Sequence, residues 1–241
     1  MIQLDLLITR SLTLPRAVTS RMRASLRANP TRAIRYDQLV DHLTDNMVRA
    51  YRLGFREFGV LRRDTERAMR AEFRRKAREV LIQYQVFANQ ELRRVYREHI
   101  RGGATQRQAT EQVLRKFRLL GVTPPATNRM KTLYTTALTG AFNAGQFDST
   151  RNNRAIWGYR FRCREVGGGQ HPTTRDSHWA LNRITLPKEH ELWERGLFPP
   201  ISYNCYCRIQ VLKRAVPIVQ PSQDIQLPVD EGFSGTGFEL R

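Results

Sequence analysis

Three cysteines and one histidine are the residues whose types and order could do chemistry in this chain. Cys163, Cys205 and Cys207, with His178 between them, would offer three thiolates and an imidazole, the donor set of a tetrahedral zinc site. The Cys-x-Cys pair is tighter than the usual spacing of structural zinc ligands. In a strand, however, residues i and i+2 face the same side, so Cys205 and Cys207 can meet one ion where the strand bends. His171 and His190 are alternative nitrogen donors. Without a metal, the same residues read as reduced, buried thiols in ordinary packing. An odd cysteine count at this spacing argues against a disulfide framework and for a reducing compartment.

Catalytic readings of the region are weaker. Ser177 or Cys205 as nucleophile with His178 as base is one, but neighbouring Ser and His in one peptide rarely reach the required geometry. A metal-dependent nuclease would need a base, for which Asp176 or Glu165 is available. No paired-histidine motif on one helix accompanies them. No residue is assigned a catalytic role.

The elements that must position these residues divide the chain. Of its 241 residues, 41 are Lys or Arg against 22 Asp or Glu, a formal net charge of +19. Such an excess implies a polyanionic partner, nucleic acid above all. No run of 18 apolar residues is present, so no membrane-spanning helix is expected. Residues 1–35 read as a basic, partly helical arm. Residues 36–122 read as a basic helical domain. Leu39, Leu43, Met47, Tyr51 and Phe55 repeat at helical spacing. A helix over 65–101 follows, with Asp64 as its cap and a break near 83–88 in view. It carries ten basic side chains, Arg67, Arg70, Arg74, Arg75, Lys76, Arg78, Arg93, Arg94, Arg97 and Arg101, against five acids. Some fit i,i+4 pairs, such as Glu66 with Arg70 and Arg94 with Glu98. The surplus suits sequence-independent phosphate contact. Thr105, three residues before Gln108, is a cap for a helix to Leu120, which Gly121 stops.

After the linker Thr123-Pro124-Pro125, residues 123–216 read as a small α+β module. A helix over 126–149 comes first. Trp157–Cys163 and Cys207–Leu212 alternate as strands and are expected to pair. Gly167–Gly169 makes a turn, and 178–182 a short helix. Trp157, Trp179 and Trp193 read as core, and Pro199–Pro200 as a rigid turn. Residues 217–241 form an acidic tail, disordered or extended along a neighbour. The fold class is therefore α+β: an elongated, mainly helical N-terminal half, then a small irregular module with a short sheet and an extended C-terminal arm.

Several of these marks, in this order, carry a resemblance. They are Thr135–Thr136, Ala141-Phe142-Asn143-Ala144-Gly145, Trp157 and Tyr159, Thr174, Arg175 and His178, Trp193, Pro199–Pro200, and Asn204-Cys205-Tyr206-Cys207. Over about 80 residues the chain resembles the minor head (head morphogenesis) proteins of tailed bacteriophages, the Mu F-like group. It departs from that pattern where Phe142 replaces Tyr, His171 replaces an acid, Thr173 an Arg and Tyr206 an Arg. The resemblance implies a non-enzymatic structural protein of the virion, made in the host cytoplasm. It would be present in multiple copies near the portal or inner shell, touching portal or major capsid protein and packaged double-stranded DNA, with no membrane partner. The alternative is a zinc-dependent nuclease acting on phage DNA.

Overall fold

A computed structural model describes residues 2–11, 16–31, 33–117, 128–193, 197–202 and 205–221. The linker 123–125, Asn204 and the tail from 222 lie outside the described residues. The helices are α1 (Ile2–Ser11), α2 (Arg16–Ala28), α3 (Asp37–Arg56), α4 (Arg63–Arg101), α5 (Gln106–Phe117), α6 (Asn128–Thr150) and α7 (Asp176–Trp179). The strands are β1 (Gly158–Arg162), β2 (Glu165–Val166), β3 (Gly169–Gln170), β4 (Thr185–Pro187) and β5 (Arg208–Leu212). The fold class is α+β, as the periodicities predict. No described helix is long and apolar enough to cross a membrane.

The chain forms two compact units, each assembled from separated stretches. Unit 1 holds residues 1–5, 47–68 and 135–241; unit 2 holds 6–46 and 69–134.

In unit 2 the helices follow their sequence signals closely. The N-terminal segment, read as an arm, supplies α2 and most of α1. Their apolar residues sit four apart, and Ile8, Met22 and Leu26 are all buried. α4 is unbroken over 39 residues, so the break expected near 83–88 does not occur. Phe73, Ala77, Leu81, Ala88 and Leu92 keep one face buried through that stretch. The Asn89 amide also bonds both N and O of Ile34 there. Asp64 lies inside the first turn rather than capping it, because the Glu66 amide already bonds the Arg62 carbonyl. α5 opens with a complete capping box. The Gln108 amide donates to Thr105 Oγ1 at 3.3 Å, and the Thr105 amide donates to Gln108 Oε1 at 2.8 Å.

In unit 1, α6 is central. Residues 138–147 are buried without interruption, so this stretch is covered on every side. One side lies against α3 at backbone contact. A Cβ added to Gly54 would stand 2.1 Å from the Phe142 carbonyl oxygen, and one on Gly145 would stand 2.2 Å from that of Tyr51. Only glycine at both positions lets the two helices meet this closely. Next to this contact, Tyr51 Oη donates to Asp148 Oδ2 at 2.9 Å, and burial pushes the Asp148 carboxyl above its ordinary range.

The sheet has the order β4-β1-β5, antiparallel throughout, with Tyr159 opposite both Leu186 and Val211. The β1–β5 pair is the one the alternation predicts, and β4 is an addition. The first residues of the tail extend the sheet, for Val219 exchanges two backbone hydrogen bonds with Thr185. β2 and β3 form a hairpin around Gly167 (φ 58°) and Gly168 (φ 81°), a turn that needs positive φ at both positions. Phe147, Tyr159, Phe161, Leu186, Trp193 and Phe198 fill the space between α6 and the sheet. Trp193 stands edge-on to Tyr159 and donates its indole N–H to the Pro187 carbonyl at 2.9 Å.

The glycine contact gives a sign-specific prediction. In a free helix Gly→Ala gains about 1 kcal/mol. Gly54→Ala and Gly145→Ala should instead each cost about 1–3 kcal/mol or more, because the added methyl meets backbone that cannot rotate away. Urea unfolding of the two variants checks this, and a gain in stability from either would refute the close contact.

Candidate metal centre

The ends of β1 and β5, together with α7, bring the cysteines and histidine to one place. Cys163 follows β1, Cys207 precedes β5, and the pairing of Arg162 with Arg208 sets the two side by side. The Asn182 side-chain oxygen accepts the Cys163 backbone N–H at 2.9 Å and fixes the end of that strand. α7 begins at Asp176, two residues earlier than expected, which puts His178 inside the helix and buries it.

His178, Cys205 and Cys207 are all buried, and their ligand atoms lie within 4.8 Å of one another. Cys207 Sγ is 3.5 Å from His178 Nδ1 and 3.6 Å from Cys163 Sγ. With metal–sulfur bonds of about 2.3 Å and metal–nitrogen bonds of about 2.0–2.1 Å, a tetrahedral site has S···S edges of about 3.8 Å and S···N edges of about 3.5 Å. The two separations from Cys207 are close to those edges. This group could hold a metal ion. Cys163, the fourth expected ligand, touches Cys207 but stands outside the mutually close trio, its thiol turned to the His178 carbonyl at 3.0 Å. His171 and His190 are elsewhere: His171 Nδ1 accepts from the Thr173 amide and His190 Nδ1 from the Leu192 amide.

A residue the sequence reading missed completes the arrangement. Ser202 Oγ lies 2.7 Å from His178 Nε2, and Arg175 donates to the same oxygen at 3.0 Å. With Ser202 accepting from Nε2–H, the lone pair of Nδ1 faces the thiols, the orientation that a metal-binding imidazole takes when its other nitrogen is anchored. Electrostatics act unequally on the thiols. Burial pushes Cys205 up, but hydrogen bonds from Cys207 and His178 and the nearby imidazole outweigh it and hold the thiol well below its ordinary value. Cys207 is pushed up by its contacts with Cys163 and Cys205 and by burial.

The groups a catalytic reading would use are occupied. Glu165 accepts from Asn182 Nδ2 at 2.9 Å, and this bond, with Arg162 and Arg183, holds its carboxyl below the usual range. Asp176 Oδ1 accepts from Gln170 at 2.8 Å, and His178 turns Nε2 to Ser202. A polar cavity of about 40 Å³ beside the cluster, lined by Arg164, Thr174, Arg175, Tyr206 and Cys207 among others, admits solvent-sized molecules only.

The remaining sequence marks are internal ties. Asn143, fully buried, donates to the Pro199 carbonyl at 3.2 Å and the Cys207 carbonyl at 3.1 Å, and accepts from the Ile209 amide at 3.4 Å. One amide thereby fastens both approaches to the Cys-x-Cys segment onto α6. Thr135 Oγ1 reaches Tyr206 Oη at 3.3 Å, and Arg164 covers the Tyr206 ring at 5.4 Å.

The ten basic side chains named for 65–101 fall into two classes. Arg67 pairs with Asp64, Arg70 with Asp45, Arg74 with Asp41, Arg75 with Glu72 and Glu79, Lys76 with Glu72, and Arg94 with Glu91 and Glu98. Among the described residues, no carboxylate pairs with Arg78, Arg93, Arg97 or Arg101. Glu66, expected to meet Arg70, is held by Arg52, whose Nε donates to Glu66 Oε2 at 2.7 Å. The surplus of unpaired charge on α4 is therefore smaller than its composition implies.

No protein-family model matches the chain, and no curated protein or solved structure matches it.

Asn143→Ala would strand three buried backbone groups at once. It should destabilise the protein by at least about 2–4 kcal/mol, whereas loss of an exposed amide such as Asn29 should cost under about 0.5 kcal/mol. Denaturant titration of the two variants compares them directly, and equal effects would show that Asn143 is not a tie.

Proposed function

We propose that this chain is a structural head protein of a tailed bacteriophage, of the minor head (Mu F-like) kind. In that role it joins the particle during assembly near the portal or inner shell, in several copies. One observation carries the reading: the residues that make the resemblance act here as ties of one small fold. Asn143, Gly145, Tyr159, His178, Trp193, Cys205 and Cys207 are buried, and the polar ones among them bond one another's segments. Residues shared for architecture are expected to lie this way, while residues shared for turnover would converge on an open cleft.

The division of charge supports a polyanion contact. Unit 2 carries 22 basic against 8 acidic residues, net +14, while unit 1 carries 19 against 14, net +5. The module bearing the marks is the less charged one. The basic helices would face packaged double-stranded DNA, and unit 1 would dock on portal or capsid protein. Electron cryo-microscopy of particles containing this chain tests the assignment. Density for it at the portal or inner shell is the expected result, and absence from both assembling and mature particles would overturn it.

We also assign zinc to the Cys/His cluster, as a structural centre with Cys205, Cys207 and His178 as ligands and Cys163 as the fourth. Zinc fits a soft donor set with no carboxylate. Its role would be to staple the end of β1, α7 and the approach to β5, with Ser202 and Arg175 orienting the imidazole. Protein purified without chelator should contain one zinc per chain by elemental analysis. Stripping the metal should lower Tm by several degrees, and Cys207→Ser should abolish retention. Metal-free protein with an unchanged Tm would remove this assignment.

A further inference from the structure

The charge of unit 2 is not uniformly available to a partner. Arg70, Arg74, Arg75 and Arg94 spend their guanidinium groups on carboxylates of their own unit. The pairing is strong enough to matter: the hydrogen bond from Arg75 lowers the Glu72 carboxyl and that from Arg94 lowers the Glu91 carboxyl below the usual range. These carboxylates therefore stay ionised and stay paired.

Arg93, Arg97 and Arg101 differ. They are exposed and stand at i, i+4 and i+8 on the last turns of α4, so they form one stripe along the helix. Arg93 Nε donates to the Thr31 carbonyl at 3.1 Å and Arg97 Nε to the Arg93 carbonyl at 3.3 Å. These bonds hold the side chains through Nε. The terminal nitrogens of all three guanidiniums make no bond among the described residues. Two of the three are thus pre-ordered but unspent, so the stripe costs less side-chain entropy to engage than three loose arginines would.

We infer that Arg93, Arg97 and Arg101 are the phosphate-binding stripe of this protein, a sequence-independent contact for duplex DNA. This rests on the polyanion contact proposed above and gives it an address. Successive members rise about 6 Å along the helix axis. Together the three span about 12 Å, over which one DNA strand presents several phosphates at about 3.4 Å of rise each. The three guanidiniums can therefore each take a phosphate with small side-chain adjustment. A guanidinium fork suits a phosphate's paired oxygens. The helix C-terminus, with its partial negative charge, favours cations at these positions.

The test compares two triple variants of the full chain with the same net charge. One is Arg93→Gln, Arg97→Gln and Arg101→Gln; the other is Arg70→Gln, Arg74→Gln and Arg75→Gln. Binding to a duplex of arbitrary sequence, about 30 base pairs long, is followed by fluorescence anisotropy across a salt series, with circular dichroism confirming that each variant is folded. The expected result is that the first variant lowers the slope of log K against log salt by about 2.7, near 0.9 for each lost phosphate contact, and the second by less than about 1. Equal losses in both would overturn the stripe, because binding would then follow net charge, while leaving the polyanion contact standing. Absence of any salt-dependent duplex binding by the unaltered chain would overturn both. An unfolded first variant is replaced by the three single Arg→Gln changes, each expected to lower the slope by about 0.9; an unchanged slope in all three would overturn the stripe.

Discussion

The close approach of α3 and α6 is the constraint on which the rest of unit 1 depends. Gly54 and Gly145 each lie against a backbone carbonyl of the opposite helix, at a distance that leaves no room for a Cβ. A helix held there on one side presents its other side about half a turn away. Asn143, two residues from Gly145, is rotated by about 200° and so points to the opposite face. That face receives the segments at Pro199 and Cys207–Ile209. A shift of α6 away from α3 would carry Asn143 with it and loosen both approaches to the cysteines. The glycine contact and the cysteine cluster are therefore two ends of one chain of constraints.

This dependence clarifies why a metal suits the site. The sheet has three short strands, one of three residues, and residues 197–202 hold no helix or strand. Such a region buries little ladder and relies on side-chain ties. Asn143, Asn182 and Ser202 supply three of them. A cation among the thiols would add a fourth at the point where β1, α7 and the approach to β5 converge, and its binding energy would be folding energy. The unequal pull on Cys205 and Cys207 has the same origin: thiols packed this closely in a dry site cannot all ionise unless a positive charge joins them.

Much of this was legible in the sequence, and the failures have specific causes. Alternation in 157–163 and 207–212 marks two strands and their partnership, and Thr105 with Gln108 marks a helix start, because these signals are local. β4 escaped notice because three residues are too few to show a period. The N-terminal segment reads as a partly helical arm, and the burial of residues such as Met22 and Leu26, four apart, makes it part of a core instead. The partners of Arg70 and Arg74 could not be foreseen, since Asp45 and Asp41 lie some 30 residues away in sequence and meet them only through the packing of α3 on α4. Ser202 had no mark at all: a serine becomes the anchor of an imidazole only where the fold puts it. Gly54 and Gly145 did carry one, for a glycine inside an otherwise regular helical pattern costs stability unless close packing needs it.

Composition alone therefore overstates one property and hides another. It presents α4 as a uniformly basic rod, yet six of its eleven lysines and arginines are matched by nearby carboxylates, so its positive potential concentrates where matching stops. Between the two halves of the helix, residues 82–90 carry no charge at all. In the N-terminal half all but Arg63 and Arg78 are laced to described acids; in the C-terminal half Arg93, Arg97 and Arg101 are not. A protein that only had to remain soluble would gain nothing from leaving three arginines aligned and unmatched, since their mutual repulsion works against the folded state. An extended, regularly charged polyanion would remove that repulsion and draw on all three at once.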